Sequence, residues 1–190
     1  MPGGFIAPRP NYSGRIGGIV YTIGHSTHPL EEFVAMLAAH SIDYLLDVRT
    51  VPKSRRNPQY NQEALPAALE ARGIAYGHEP RLGGLRHPRP NSINSAWKND
   101  SFRGYADHMQ TPEFDAAIRR LIALSHERTP VVMCAEAVPW RCHRSLIADA
   151  LAAHGVPAFH IMSAATANPH RITPFAVIEG SRVTYPGLTA

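Results

Sequence analysis

The chain has 190 residues, a net charge of +4 at pH 7 and a hydrophobic fraction of 44%. This size suits one domain with a sizeable core, and no apolar run is long enough to cross a bilayer. The first residues lack the basic and apolar segments of a secretion signal, so we expect a cytoplasmic protein without a membrane partner. Two cysteines exclude a disulfide scaffold and would stay reduced in that compartment.

The basic character of the chain favours an anionic partner. Most of the 19 basic residues are arginine, and the pI is near 9.3. A nucleotide, another phosphorylated small molecule or a nucleic acid would each match this charge. The alternative is a mildly basic protein without such a partner, because the positive residues do not form one long run.

Strand-forming runs alternate with amphipathic helical segments along most of the chain. Residues 1–16 are predicted as an irregular arm, residues 17–163 as an α/β core, and residues 164–190 as a tail of the same single domain. Strands are predicted at 18–23, 42–49, 74–78, 131–133 and 156–161. Helices are predicted from Pro29 to Ala38 with Thr27 or His28 as N-cap, from Asn61 to Arg72, at 101–109, from Thr111 onward, and from Cys142 to His154.

This alternation predicts a mainly parallel sheet of about five strands with helices on both faces, a Rossmann-like three-layer sandwich. Two β runs around Glu179-Gly180-Ser181 predict a β-hairpin near the C-terminus. The stretch at 79–100 is irregular, and loops of this length in compact domains often have a function.

The carboxyl ends of the predicted strands carry most of the reactive side chains. Parallel strands place these ends at one edge, where open α/β sheets bind ligands. We therefore predict a site there. Its catalytic candidates are Cys134, Glu136, His143 and His25, and its substrate-binding candidates are Ser26, Asp47, Arg49, Tyr105, Cys142 and Arg144.

Each candidate also has a purely structural interpretation. Cys134 could be activated by nearby arginines and a helix N-terminus, or be a buried hydrophobic residue, and Cys142 is the rival thiol. Glu136 could be a general acid or base, or pair with an arginine. His143 could be a base or lie on the helix surface, and His25 could act or bond to the backbone. The remaining pair has two interpretations as well: Asp47 and Arg49 could pair with each other, or Arg49 could hold a phosphate.

Metal binding has weak support in the sequence. Cys134, Cys142, His143, Glu136 and His25 could together form a zinc or iron shell. The chain lacks the C-x-x-C and H-x-x-x-H spacings that make such assignments strong, so we assign no metal ligand, and the sequence does not identify a cofactor. A disulfide or redox switch between the two cysteines remains an alternative.

Two basic loops suggest a second function class. One contains Lys53, Arg55 and Arg56 beside Tyr60, and the other contains Arg81, Arg86 and Arg89 beside Trp97. Such loops could bind a phosphodiester backbone and stack bases, in a nucleic-acid- or nucleotide-binding module without catalysis. The alternative is that both loops are merely solvated.

Five ordered blocks of the chain resemble one known family. They are Ile23-Gly24-His25-Ser26, Leu46-Asp47-Val48-Arg49 with Pro52, Leu82-Gly83-Gly84, Phe102-Arg103-Gly104-Tyr105 with Met109, and Cys134-Ala135-Glu136 with Cys142-His143-Arg144. Together they are similar to the domain of unknown function 488 family of bacterial and archaeal proteins, over residues 19–163. The resemblance implies an α/β domain and no established reaction.

A weaker likeness is to rhodanese domains, in the Leu-Asp-Val-Arg strand and in a cysteine that ends a later strand. Pro139 and Trp140 stand where a rhodanese loop would cradle an anion, and Trp140 occupies the arginine position of the Cys-x5-Arg phosphatases. We therefore predict neither of these activities. The favoured interpretation is a small enzyme that acts on a nucleotide-like or other anionic substrate through a Cys/Glu/Arg cluster; a binding module and a metal-binding protein are the alternatives.

Overall fold

A computed structural model describes residues 18–187, so the arm predicted for residues 1–16 lies outside the described residues. The main sheet has six strands in the order β3-β2-β4-β1-β5-β6. Strands β1 to β5 are parallel, and β6 pairs antiparallel with β5. The main-sheet strands are β1 (Val20–Gly24), β2 (Tyr44–Asp47), β3 (Ala75–His78), β4 (Pro130–Cys134), β5 (Ala158–Ser163) and β6 (Thr166–Pro169).

Five α-helices cover the two faces of this sheet, as the sequence predicts. They are α1 (Leu30–Ala39), α2 (Leu65–Glu70), α3 (Asp100–His108), α4 (Pro112–Glu127) and α5 (Arg144–Ala153). The buried faces of α1 and α2 pack with Ile23, Val131 and Met133 on one side of the sheet. The buried faces of α3, α4 and α5 pack with Val20 and Val132 on the other side. Because side chains alternate along each strand, the sheet contributes buried residues to the cores on both of its sides.

The C-terminal hairpin is confirmed and packs on the core. Strands β7 (Val177–Glu179) and β8 (Arg182–Thr184) pair antiparallel around Gly180, whose φ of 61° suits a residue without a Cβ. Val183 and Tyr185 are buried in the same core as α5. The sixth strand, β6, was not predicted, and it extends the main sheet into residues assigned to the tail.

Three predicted helix starts differ from the structure. Pro29, rather than Thr27 or His28, is the N-cap of α1, because residues 25–28 form a turn closed by His28 N–H donating to His25 O. Helix α2 starts at Leu65, since the Asn61 side chain instead accepts a bond from Ser54 N in the preceding loop.

Helix α5 starts at Arg144 rather than Cys142. A 3-10 turn over Pro139–Arg141 precedes it, and Cys142 has an extended backbone with φ of −134° and ψ of 145°. The Cys142 side chain therefore lies just before the helix. No helix within residues 18–187 is long and apolar enough to cross a membrane.

Candidate functional site

A cavity of about 630 Å³ opens at the carboxyl ends of β1, β2 and β4. Among the ten predicted site residues, seven line it and three lie behind its wall. The lining residues are His25, Ser26, Arg49, Cys134, Glu136, Cys142 and His143. The residues behind the wall are Asp47, Tyr105 and Arg144, which are almost fully buried.

Backbone hydrogen bonds fix the ends of β1 and β4 to each other beneath the cavity. His25 N–H donates to Cys134 O at 2.9 Å, and Ser26 N–H donates to Ala135 O at 3.0 Å. Ser26 has a φ of 47°, in the left-handed region that is costly for a residue with a Cβ. Gly24 is required here because a Cβ would lie 1.8 Å from Glu136 O. This packing holds the Cys134 loop over the first strand.

Both cysteines are free and buried, and their sulfur atoms lie close together at the cavity floor. A hydrogen bond between the two thiols raises the pKa of Cys134 and lowers the pKa of Cys142 well below its ordinary value of 9.0. His143 and Arg144 lower the pKa of Cys142 further, while burial opposes them. Of the two thiols, Cys142 is therefore the one with the lower pKa.

Arg144 lies directly against this sulfur. Its Nε–H donates to Cys142 Sγ at 3.4 Å, and its Nη2 donates to Glu136 O at 2.5 Å and to Ala137 O at 3.3 Å. Only 1% of its surface is exposed, and it forms no ion pair with a carboxylate of residues 18–187. A buried cation without a carboxylate counterion is costly, so the guanidinium favours a negative charge on Cys142.

Arg49 also reaches the cavity, but unlike Arg144 it forms an ion pair with a carboxylate. Its Nε and Nη2 donate to the two oxygens of Asp47 at 2.9 and 2.6 Å, and its Nη2 also donates to Tyr60 O. Tyr76 OH donates to the same carboxylate at 3.0 Å. The predicted pairing of Asp47 with Arg49 is therefore present, and Asp47 supports the cavity from behind rather than lining it.

His25 is a neutral neighbour of this ion pair. Burial lowers its pKa to about 4, with the charge of Arg49 adding to the effect. Its Nδ1–H donates to Ser26 O at 2.9 Å, and its Nε2 accepts from Arg49 Nη1 at 3.3 Å. Tyr60 stacks on the ring at 4.2 Å between centroids. Because both ring nitrogens have partners, the geometry gives His25 a positioning role.

His143 is packed between the cysteine loop and Gly84. Its Nδ1 lies 3.7 Å from Cys142 Sγ, and a Cβ on Gly84 would lie 2.4 Å from the same nitrogen. The Tyr105 ring flanks His143 at 5.0 Å, and its hydroxyl donates to Leu82 O. Tyr105 is fully buried and does not reach the cavity. The His143 Nε2 atom is buried with no hydrogen-bond partner among the described residues.

The cavity wall nearest to solvent carries an excess of positive charge. Lys53, Arg56 and Arg141 line it together with one acid, Glu136, which forms no ion pair within residues 18–187. The exposed apolar side chains of Val51 and Leu85 also line it. The lining therefore combines cations with apolar surface, a combination that suits an organic anion.

The predicted stacking aromatics of the two basic loops are not exposed. Tyr60 is fully buried, and Trp97 packs between Phe102, Phe175 and Tyr185 in the core. Tyr60 therefore has no face free for a nucleic-acid base, and the partly buried Trp97 ring has one face stacked on Phe102. Lys53 and Arg56 of the first loop instead contribute to the cavity.

Cys134, Cys142 and His143 are the described residues that could hold a metal ion, because their ligand atoms lie within 4.8 Å of one another. Two sulfurs and one imidazole suit zinc with an open fourth position. Two observations oppose this interpretation. The Arg144 guanidinium touches Cys142 Sγ, and His143 Nε2 lacks the outer acceptor that metal-binding histidines usually have.

The residues that lie behind Arg144 are not among the ten predicted site residues. Thr22, Asp149, His160 and His170 form a buried hydrogen-bond chain that ends at this arginine. Asp149 lies inside the apolar stretch of α5, and this position could have indicated a buried hydrogen-bond network, because buried carboxylates require partners. The histidines of the chain gave no such signal, since their spacing in the sequence matches no motif.

The fold and the site define an α/β protein with a cysteine-containing cavity at the carboxyl edge of a mainly parallel sheet. The chain belongs to the family described as Domain of unknown function DUF488, whose model matches residues 29–151. Four of the five sequence blocks fall inside this range, and the Ile23–Ser26 block precedes it. No curated protein and no solved structure matches the chain significantly.

Proposed function

We propose that this protein is an enzyme that binds a small, nucleotide-like or other organic anion in the cavity and attacks it with the Cys142 sulfur. The observation that carries the proposal is the contact between Cys142 and Arg144, a buried guanidinium with no carboxylate partner in residues 18–187. A thiolate is the reactive form of cysteine, and an adjacent cation keeps the sulfur in that form at neutral pH.

The cations at the cavity wall support an anionic substrate. Lys53, Arg56 and Arg141 can neutralise its charge, while Val51 and Leu85 contact its apolar part. A cavity of about 630 Å³ accommodates a molecule of nucleotide size.

The proposed chemical step is a nucleophilic substitution. A sulfur lone pair of Cys142 forms a bond to an electrophilic atom of the substrate, and the leaving group departs with the electron pair of the bond that breaks. Glu136 lines the same cavity and is free of ion pairs within residues 18–187, so it is available to exchange a proton with the leaving group. Cys134 keeps the sulfur in place as a hydrogen-bond donor.

A reduced thiol pair at the reacting centre also supports a cytoplasmic location. Cys134 and Cys142 are both free, and glutathione and thioredoxin keep such thiols reduced in the cytoplasm. The proposed chemistry requires this state, because a disulfide between them would remove the nucleophile.

The test is the reactivity of Cys142 in the untagged protein. An ordinary thiol is less than about 1% ionised at pH 6, so it reacts slowly with iodoacetamide. We expect mass spectrometry to show fast labelling of Cys142 at pH 6, little labelling of Cys134, and none at this position in Cys142→Ser. Phosphate, nucleoside monophosphates and thiosulfate would then be compared as protecting ligands and as substrates.

Three results would contradict the proposal. They are slow labelling of Cys142 at pH 6, the absence of protection by every anion tested, and one equivalent of zinc bound to the purified protein. The zinc result would instead favour the three-ligand metal site. Equal turnover by the wild type and by Cys142→Ser would exclude the nucleophile even if an anion binds.

A further inference from the structure

A continuous hydrogen-bond chain joins the buried guanidinium of Arg144 to the buried carboxylate of Asp149. Arg144 Nη1 donates to Thr22 Oγ1 at 3.4 Å, and Thr22 Oγ1 lies 2.7 Å from His160 Nδ1. His160 Nε2 lies 3.0 Å from His170 Nδ1, and His170 Nε2 lies 2.8 Å from Asp149 Oδ1. The hydrogen-bond chain starts at Arg144 in α5, passes through residues of β1, β5 and the segment after β6, and ends at Asp149, again in α5.

The carboxylate fixes the direction of every hydrogen bond in the chain. An ionised Asp149 only accepts, so His170 Nε2 carries a proton and a neutral His170 accepts at Nδ1. His160 then donates from Nε2 and accepts at Nδ1, so the Thr22 hydroxyl donates to it. The Thr22 oxygen is left to accept from Arg144, whose guanidinium can only donate. The positive and negative ends therefore impose one consistent polarity.

The opposite polarity does not satisfy all the groups. A protonated His170 would turn His160 around, and Thr22 would then accept from both His160 and Arg144. Its hydroxyl hydrogen would have no acceptor within residues 18–187. Burial lowers the pKa of His160 to about 4, in agreement with a neutral ring at this position.

The Asp149 carboxylate, at the end of the hydrogen-bond chain, also binds residues of the C-terminal segment. Besides His170, the carboxylate accepts from Thr173 N at 2.9 Å, from Thr173 Oγ1 at 2.7 Å and from Tyr185 OH at 2.8 Å. Thr22, His160 and His170 all lie outside the family-matched range 29–151, whereas Arg144 and Asp149 lie inside it. The two ends of the hydrogen-bond chain thus lie inside the matched range, and its three middle members lie in the segments next to that range.

We infer that Thr22, His160, His170 and Asp149 are positioning residues that hold the Arg144 guanidinium against Cys142, so that segments on both sides of the matched range 29–151 contribute to the site. This inference rests on the proposed function, in which Arg144 stabilises the Cys142 thiolate. The hydrogen-bond chain holds one edge of the Arg144 guanidinium through Nη1 and connects this group to the Asp149 carboxylate. Its Nε is thereby left facing the sulfur.

The direct test is Thr22→Val, which preserves the shape of the side chain and removes the one hydroxyl that links His160 to Arg144. We expect the rate of Cys142 alkylation at pH 6 to fall about tenfold, as for a rise of one unit in the pKa of the thiol. Thr22→Ser restores the hydroxyl and should react at nearly the wild-type rate. The exchange of the Arg144 Nε–H proton, followed by NMR, should be faster in Thr22→Val than in Thr22→Ser.

Thr173→Val is the matched control, because it removes a hydrogen bond to Asp149 that is not part of the chain. It should lower the melting temperature without changing the alkylation rate of Cys142. His170→Leu interrupts the chain two links further on, and it serves as the second variant if Thr22→Val does not fold.

The inference is overturned if folded Thr22→Val or His170→Leu keeps the wild-type alkylation rate and Arg144 proton exchange, or if Thr173→Val changes both as strongly. The NMR measurement also separates the two proposals. Slow alkylation of wild-type Cys142 at pH 6 would reject the thiolate enzyme, whereas the proton exchange of Arg144 would still decide the role of the chain.

Discussion

Two buried arginines approach the same cavity, and the protein compensates their charges in different ways. Beside β2, Arg49 donates two hydrogen bonds to Asp47 and is neutralised within its own strand end. At the start of α5, Arg144 contacts the Cys142 sulfur and three uncharged oxygens, and its nearest carboxylate along the hydrogen-bond chain is Asp149. The charge of Arg49 is therefore compensated by a carboxylate, whereas the proposed counterion of Arg144 is the Cys142 thiolate.

This difference is the reason why the proposed chemistry is assigned to the Arg144 region. A paired arginine gives shape and rigidity, because its charge is already satisfied. An arginine next to a cysteine lowers the pKa of the thiol, so more of the cysteine is present as the reactive thiolate. The predictions below separate these two roles.

The largest expected effect is on stability, in the Arg49 region. Asp47→Ala removes the carboxylate and leaves a buried guanidinium unpaired, so the free energy of unfolding should fall by about 3 to 5 kcal/mol. Urea denaturation measures this change. The control is Asp115→Ala, which breaks an exposed pair with Arg119 and should cost less than about 1 kcal/mol. A similar loss for both variants would refute the assigned role of Asp47.

The second prediction concerns acid stability, to which each region contributes one histidine. Burial lowers the pKa of His25 and of His160 from 6.5 to about 4. The unfolded chain therefore binds protons at a higher pH than the folded protein, and stability present above pH 6.5 is lost as the pH falls toward 4. Each histidine should account for up to about 3 kcal/mol.

Urea unfolding at pH 7, 5.5 and 4.5 tests this pH dependence. His25→Gln or His160→Gln should reduce the slope of stability against pH, and the two substitutions together should reduce it more than either alone; burial also lowers the pKa of His108 and of His154, which account for part of the remaining slope. A free energy of unfolding that stays constant from pH 6.5 to 4.5 would show that neither ring is held neutral in the folded protein.

The third prediction concerns the thiolate itself. Arg144→Gln removes the cation from Cys142, and we expect the rate of alkylation at pH 6 to fall about a hundredfold, as for two pKa units or about 2.7 kcal/mol. Arg141→Gln makes the same change of charge at an exposed position and should have less than about a threefold effect. Equal effects of the two variants would indicate a general dependence on charge rather than the specific contact.

The smallest effect is expected at the neighbouring cysteine. Cys134→Ala removes the S–H donor to Cys142, which should slow alkylation at pH 6 by about tenfold at most. Cys134→Ser supplies an O–H donor in its place and should retain the wild-type rate. If the serine variant is as slow as the alanine variant, the packing of Cys134 matters more than its hydrogen bond.

Much of the fold could be predicted because its signals are local. The apolar runs that become β1 to β5 and the amphipathic stripes of α1 and α4 follow directly from the order of residues. Strand β6 was missed since it pairs only at the edge and its residues are largely exposed. The start of α5 was placed two residues early, because the 3-10 turn before it has no distinctive sequence pattern.

The candidate site was only partly predictable. Its position followed from the parallel order of the strands, and seven of its ten proposed residues line the cavity. The choice between Cys134 and Cys142 did not follow, because it depends on which sulfur faces Arg144 and which accepts the shared hydrogen bond. Such a preference is set by distances between segments that are far apart in the chain.

The sequence by itself determined a mainly parallel α/β architecture and the edge of the sheet that carries the polar residues, because periodicity and strand order are properties of neighbouring residues. Only the tertiary structure decided how each charge is compensated. Arg49 has its carboxylate two residues away, whereas Arg144 is joined to Asp149 through Thr22, His160 and His170. Electrostatic and hydrogen-bond energies depend on distance in space, and the folded chain alone sets those distances.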